Sequence, residues 1–377
     1  MQVSVCKTKA YQKEEIKSVL WRHFTLLGGV SAWIQPGMRV LIKPNLLMPQ
    51  GQETAVTTHP YFVEALAQII AEAGAQAVIA DSGGGPYTAS LQQHLYRATG
   101  MQEAAQQSGA QLGTKIMPPC TVPCPEGKLV KQFSFIREYA ECDFLISLAK
   151  CKNHMLTGFT GAVKNCFGLV PGLAKSEYHF RFPDKNDFVE MILDLCLTAK
   201  PGLAIMDAVY GMEGDGPSGG KKKHLGFSAM SENPFALDFL VSQMLGLPVE
   251  NCLTVAASQK RGLIPSTVAA LEVVGDDWQD LCCHDWQAAQ SRDAVAVGRL
   301  PAFLRIPLAH MLTSRVQVEK KKCIGCGKCV SICPQQTIVL QNGKAQIDSR
   351  QCIRCYCCHE ICPKQAIRLK RAFLYRF

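Results

Sequence analysis

Eight cysteines in two matching runs constrain this chain more than any other feature. The first run is Cys323-x2-Cys326-x2-Cys329-x3-Cys333-Pro334, and the second is Cys352-x2-Cys355-x2-Cys358-x3-Cys362-Pro363. Three thiolates at this spacing wrap one face of a cubane, and the fourth cysteine of each run reaches across to the other cluster. The spacing therefore assigns Cys323, Cys326, Cys329 and Cys362 to one [4Fe–4S] cluster (cluster 1). It assigns Cys352, Cys355, Cys358 and Cys333 to a second (cluster 2). Zinc ribbons space their ligands differently. The proline after each fourth cysteine turns the chain away, and Gly325 and Gly327 let backbone amides approach the sulfides and tune the cluster potential. Cys357 stands outside the repeat and reads as a spare thiol.

This stretch, about residues 316–370, resembles the bacterial two-cluster ferredoxins. The resemblance implies a small pseudo-twofold α+β domain over 316–377 that handles single electrons. The other ten of the nineteen cysteines are scattered, and each reads as a small buried hydrophobe. Metal binding explains the high count better than disulfides do, because the start MQVSVCKTKAYQKEE lacks the apolar core of a signal peptide. No apolar run approaches the roughly 18 residues of a membrane span. The expectation is a cytoplasmic protein of two or three domains.

Charge is unevenly placed. From residue 316 onward twelve Lys and Arg face three acidic residues, whereas residues 1–315 carry 28 of each sign. Each [4Fe–4S] core with its four thiolates contributes about −2, which leaves the module at roughly +5. Such a surface suits an acidic electron donor or acceptor protein. Nucleic acid is a poorer fit, because the module lacks the interleaved aromatic residues of single-strand binders.

Residues 1–299 alternate short apolar strands with helices. Strand cores are read at Val40–Ile42, Ala77–Ala80, Phe144–Leu148, Leu203–Met206 and Leu271–Val274. Helices are expected from Thr57-Thr58-His59-Pro60 to about Ala73, over 90–108, over Asp187–Thr198, and from Asn233-Pro234 to about Leu245. The pattern predicts an α/β body, an open, mainly parallel sheet with flanking helices. Residues 300–315, with two prolines, read as a connector.

Polar motifs follow four of the expected strands: Lys43-Pro44-Asn45; Asp81-Ser82-Gly83-Gly84; Lys150-Cys151-Lys152-Asn153-His154; and Asp207 with Gly211–Pro217. Ligands of open parallel sheets bind outside the carboxyl ends of the strands, so these groups are expected to share one crevice. Thr160, Lys164 and Asn165 follow in a threonine- and glycine-rich stretch, where a helix N-terminus beside lysines would suit a phosphate or carboxylate. Neither a Walker loop nor a dinucleotide fingerprint is present. The glycine-rich loop 211–220 is expected to act as a lid.

The stretches LIKPNLL, TTHP, ADSGGG, KNHMLTGFTGAVKNCFGLVPG and IMDAVYGMEGDGP, in this order, resemble the domain of unknown function 362 family over about residues 1–290. Members are often fused to a two-cluster ferredoxin, so the resemblance implies this architecture and leaves the chemistry open. The leading functional expectation is an iron–sulfur oxidoreductase. Lys43, Lys152 and Lys164 would hold an anionic substrate or cofactor, with Asn45, Thr160, Asn165 and Glu213 as further contacts. His154 is the first choice of general acid, with Asp81 and Asp207 as alternatives. A carrier whose body only docks a partner protein is the second reading, and a redox-sensing nucleic-acid binder the third.

Overall fold

The computed structural model describes residues 1–114, 116–289 and 315–370. The expected connector lies outside these residues apart from Arg315. In chain order the body's strands are β1 (Gln2–Lys7), β2 (Arg39–Pro44), β3 (Gln76–Ile79), β4 (Gln111–Leu112), β5 (Cys120–Pro123), β6 (Gln132–Phe135), β7 (Phe144–His154), β8 (Gly158–Thr160), β9 (Leu203–Glu213), β10 (Lys221–Ser231) and β11 (Glu272–Gly275). Nine of them form one sheet in the order β11-β1-β10-β9-β7-β2-β3-β4, with β8 beside β7, while β5 and β6 pair separately. Within the sheet, β10 runs antiparallel to β1 and β9, and β8 antiparallel to β7; the other pairings are parallel.

Strand alternation sorts side chains between two cores. On β2 and β7, Val40, Ile42, Ile146 and Leu148 point to one face. There they meet Ile16, Leu20 and Phe24, spaced four apart along the helix Lys13–Leu26, and the helix Pro60–Glu72. Leu41, Leu145 and Ala149 point to the other face, against the helices Lys185–Ala199 and Pro234–Met244. Both faces are apolar because both are covered, as a parallel sheet requires.

Several elements differ from their sequence-based expectation. The helix over 90–108 is two helices, Ala89–Ala98 and Met101–Ser108, broken where Gly100 takes a φ of 78°. β7 runs on to His154, so Lys150–His154 lie on the strand rather than after it. β9 similarly runs to Glu213 and pairs with β10, which shortens the glycine-rich loop to 214–220. β10 hides in the sequence because it opens with three lysines and carries a register shift between His224 and Phe227.

In the C-terminal module β12 (Arg315–Val318) pairs with β15 (Ile367–Lys370), and β13 (Ile338–Gln341) with β14 (Lys344–Ile347). Two short helices, Lys328–Ile332 and Cys357–Glu360, sit inside the cysteine runs. The two halves repeat each other in backbone detail: Gly325 and Gly327 have φ of 68° and 76°, and Arg354 and Tyr356, at matching places, have 58° and 62°. The left-handed turn is thus a requirement of the run itself, and only the first run meets it with glycine.

Candidate functional site

The chain leaves β2 toward β3 and β4 on one side and leaves β7 toward β9 on the other, which makes the β2–β7 junction a topological switch point. Clefts for ligands open at such places, outside the carboxyl ends of the strands. Lys43 lies at the end of β2 with Asn45 just beyond it, Asp81 follows β3, and Lys152 and His154 end β7.

A buried polar network forms there. Lys43 Nζ lies 2.7 Å from Asp81 Oδ1, with both side chains all but inaccessible. Lys43 also donates to Asn165 Oδ1 (3.2 Å), and Asn165 Nδ2 donates back to the Lys43 carbonyl (3.1 Å). Asp81 Oδ2 accepts from the Leu46 amide at 2.7 Å. Asn45 Nδ2 donates to Asn165 Oδ1 (3.2 Å), and Lys152 Nζ donates to Asn45 Oδ1 and to the Val56 carbonyl, both at 2.7 Å. Burial, then the nearby Lys164 charge, pushes Lys152 down to about 7. Gly168 is glycine because a β-carbon there would run into Asp81 Oδ1 and Lys43 Nζ.

Beside this network lies a cavity of about 100 Å³ between the body and the cluster module. Lys43, Asn45, Asp81, Thr160, Lys164 and Asn165 line it from the body, and Ile332, Cys357, Glu360 and Ile361 from the module. Seven of the ten residues expected to bind or react with a substrate are therefore on the wall or, for Lys152, bonded to it. Lys164 is half-buried and makes no hydrogen bond or ion pair with another described residue. Burial lowers its pKa, against the pull of Glu360 and Cys357.

Sequence reading missed Lys175 and His179, which line the cavity together with Ser82 of the expected strand-end motif. Lys175 Nζ donates to the Ser82 carbonyl (2.8 Å) and Oγ (3.0 Å) and to the Gly83 carbonyl (3.3 Å), and burial pushes it down to about 7. The helix Ala174–Arg181 that brings Lys175 and His179 is polar and weakly patterned, so nothing marked it. Glu360 was missed because it lies between cluster cysteines.

His154 reaches the cavity only through Glu360. Its Nδ1 accepts from the Leu156 and Thr157 amides (3.1 and 3.3 Å), so the neutral ring carries its proton on Nε2. That atom stands 3.1 Å from Glu360 Oε1, poorly aligned for a hydrogen bond. Burial, reinforced by Lys164, pushes His154 down to about 4 despite Glu360.

Four expectations resolve differently. Asp207 shares strand parity with Leu203 and Ile205, which sends it to the opposite sheet face. There it accepts from Tyr11 OH (2.8 Å), the His59 amide (3.0 Å) and Lys150 Nζ (2.9 Å), and it does not line the cavity. Glu213, also off the cavity, accepts from the Gln287 amide at 3.0 Å. The N-terminus of the short helix Ala162–Asn165 is closed by the protein's own carboxylate, because Asp238 accepts from the Ala162 and Val163 amides (2.7 and 3.0 Å). The glycine-rich loop is held against the module: the Ser218 carbonyl accepts from Gln365 Nε2 (3.0 Å), and the Asp215 carbonyl lies 3.2 Å from His359 Nε2.

In the module, burial and then the neighbouring thiols of Cys362, Cys323 and Cys326 raise the pKa of Cys329. Cys358 is raised in the same way, by burial and then by Cys355, Cys352 and Cys333, with Cys329 beyond them. The thiols that act on Cys329 are those of its expected set, and three of the four that act on Cys358 are those of its own. Cys323, Cys326, Cys329 and Cys362 surround a small, largely apolar cavity. Among the described residues no three Cys, His, Asp or Glu side chains close on a single metal ion. Thiolates set around a four-iron core stand farther apart than ligands of one ion, so the donor set fits a cubane.

Comparison with known proteins places both parts. Residues 40–243 match the family described as domain of unknown function (DUF362), and residues 315–363 match a 4Fe-4S dicluster domain. The thylakoid-associated protein sll1697 of Synechocystis is 30% identical over 318 residues, which is 82% of this chain and 94% of that protein. Ferredoxin-2 of Desulfomicrobium norvegicum is 60% identical over 30 residues, 8% of this chain and 51% of the ferredoxin. The lactate racemase apoprotein of Thermoanaerobacterium thermosaccharolyticum superposes with a TM-score of 0.35 at 14% identity, over 54% of this chain and 49% of that one. Among the described residues no helix is long and apolar enough to cross a membrane.

Proposed function

The chain belongs to the domain of unknown function 362 family, and we propose that it is an iron–sulfur oxidoreductase acting on a small anion held between its body and its cluster module. One observation carries this reading. Lys164 presents a half-buried ammonium to the cavity with no hydrogen bond or ion pair to another described residue. Glu360 acts on this charge only through space, and a bound carboxylate, phosphate or similar anion would give it the direct partner it lacks. A carrier that only docks a partner has no use for this arrangement.

The cluster ligands would be the eight cysteines as assigned by their spacing, and the clusters supply single electrons when bound. The chain's own groups divide the remaining work. Lys43 is neutralised by Asp81 and frames the wall, so Lys164 and Lys175 bind the anion. Asn45 and Thr160 orient it. Lys164 also serves as proton donor, since its lowered pKa eases release of a proton at an atom within the cavity. His154 holds a proton behind Glu360 rather than against the substrate. The cysteines outside the cluster module form no disulfide, which suits a reducing compartment such as the cytoplasm.

The test is anaerobic turnover with dithionite and a panel of small carboxylate and phosphate acceptors. Lys164→Gln should lose activity by at least about 100-fold, a usual scale for a positioned proton donor. Full activity in that variant would overturn the reading.

A further inference from the structure

The two halves of the module face different surroundings. The helix Cys357–Glu360 beside cluster 2 is turned to the body, with Cys357 and Cys358 buried. The cluster 1 side is turned outward: Cys326 is exposed, and Ile324 and Leu340, which line the same cavity, are 58% and 47% exposed. Ile324 and Leu340 border the cavity ringed by the cluster 1 cysteines, so this apolar patch lies directly over those thiols. Two exposed large aliphatic side chains together over a cluster on so small a domain suit a contact surface.

The rim of the patch is basic. Lys328 and Lys364 line the same cavity, are exposed, and make no ion pair with another described residue. Lys320 and Lys321, just before Cys323, are exposed and likewise without an ion pair among the described residues. The three acidic residues of the module lie elsewhere or are engaged: Glu319 pairs with Lys322 and Arg368, Asp348 with Arg350, and Glu360 with the body. An apolar centre with a like-charged, unpaired rim is the form of an electrostatically steered docking face.

We infer that this face, centred on Ile324 and Leu340 and rimmed by Lys320, Lys321, Lys328 and Lys364, docks an acidic single-electron carrier protein. Charge complementarity commits the proposal to that occupant. The body already covers the other side of the module, so this is the side from which a partner gains the closest approach to a cluster.

The experiment uses the full, cluster-loaded chain under anaerobic conditions, with an acidic flavodoxin as probe and binding read by fluorescence anisotropy of the labelled probe. Affinity should weaken by about tenfold or more between 50 and 300 mM salt, as steering by unpaired charge requires. Lys328→Glu with Lys364→Glu should weaken it by at least about tenfold, while Lys260→Glu on the body leaves it unchanged. Iron content and visible absorbance of the variants keep a loss of clusters from passing for a loss of docking. A salt-insensitive affinity would overturn the inference, as would equal binding by all variants. So would a protein that ignores the flavodoxin yet sediments with anionic phosphatidylglycerol vesicles through these lysines, since the face would then be a membrane contact. None of these outcomes depends on Lys164, so failure here leaves the cavity reading standing.

Discussion

Replacing Asp81 by Asn isolates the charge at the heart of the polar network. The substitution keeps the shape of the side chain and removes the only carboxylate within ion-pair distance of Lys43 Nζ among the described residues, now 2.7 Å away. Lys43 keeps its bonds to Asn165 Oδ1 and the Pro44 carbonyl, both at 3.2 Å, but these are neutral acceptors. Removing one partner of a buried ion pair costs about 3–5 kcal/mol, because the other charge stays buried uncompensated. Loss of the proton sets the ceiling, since neutralising any ordinary lysine at pH 7 costs about 5 kcal/mol. At roughly 2–4 °C per kcal/mol for a domain near this size, the body should melt about 6–20 °C lower. Anaerobic thermal unfolding followed by circular dichroism reads this directly. Lys43→Met combined with Asp81→Leu should recover more than half of the loss, because an apolar pair of similar volume replaces a buried ion pair at little cost. An Asp81→Asn protein within about 1 kcal/mol of the parent would refute the reasoning, as would a double variant less stable than the single.

Further predictions concern neighbouring groups. Gly168→Ala should destabilise by about 1–3 kcal/mol, because its new methyl must displace Asp81 or Lys43; this is measurable by urea unfolding. Lys152 is held near 7 in the fold against 10.5 unfolded, so between those values the unfolded chain binds more protons and stability rises with pH. The parent should therefore gain up to about 1.4 kcal/mol per pH unit over Lys152→Met across that window, and parallel curves would contradict the assignment. Cys357→Ser should retain eight irons per chain by anaerobic metal analysis, whereas Cys358→Ser should lose iron; the reverse outcome would exchange their roles.

The cluster module was legible almost residue by residue, because a metal cluster ties sequence spacing to geometry. Arg354 and Tyr356 show its limit: they take the left-handed conformation that glycine advertises in the first run, and nothing in their identity announces it. In the body, apolar strand cores and the Pro60 and Pro234 helix starts were readable because burial and capping leave marks in the sequence. The site was half readable. Residues next to strand ends were found, but which sheet face each one serves was not, since the extension of β7 and β9 beyond their apolar cores fixes the parity of Lys150 and Asp207. Lys175 and Glu360 arrive from a polar helix and from the far end of the chain, and only tertiary structure brings them to Lys43.

The central claim is that the cavity between body and module holds an anion against Lys164. Native mass spectrometry of anaerobically purified protein tests it most directly. The account predicts a bound small anion in addition to two clusters in the parent, and its loss from Lys164→Gln with both clusters retained. A parent protein that carries clusters alone and gains no anion from a mixture of small carboxylates and phosphates would contradict it.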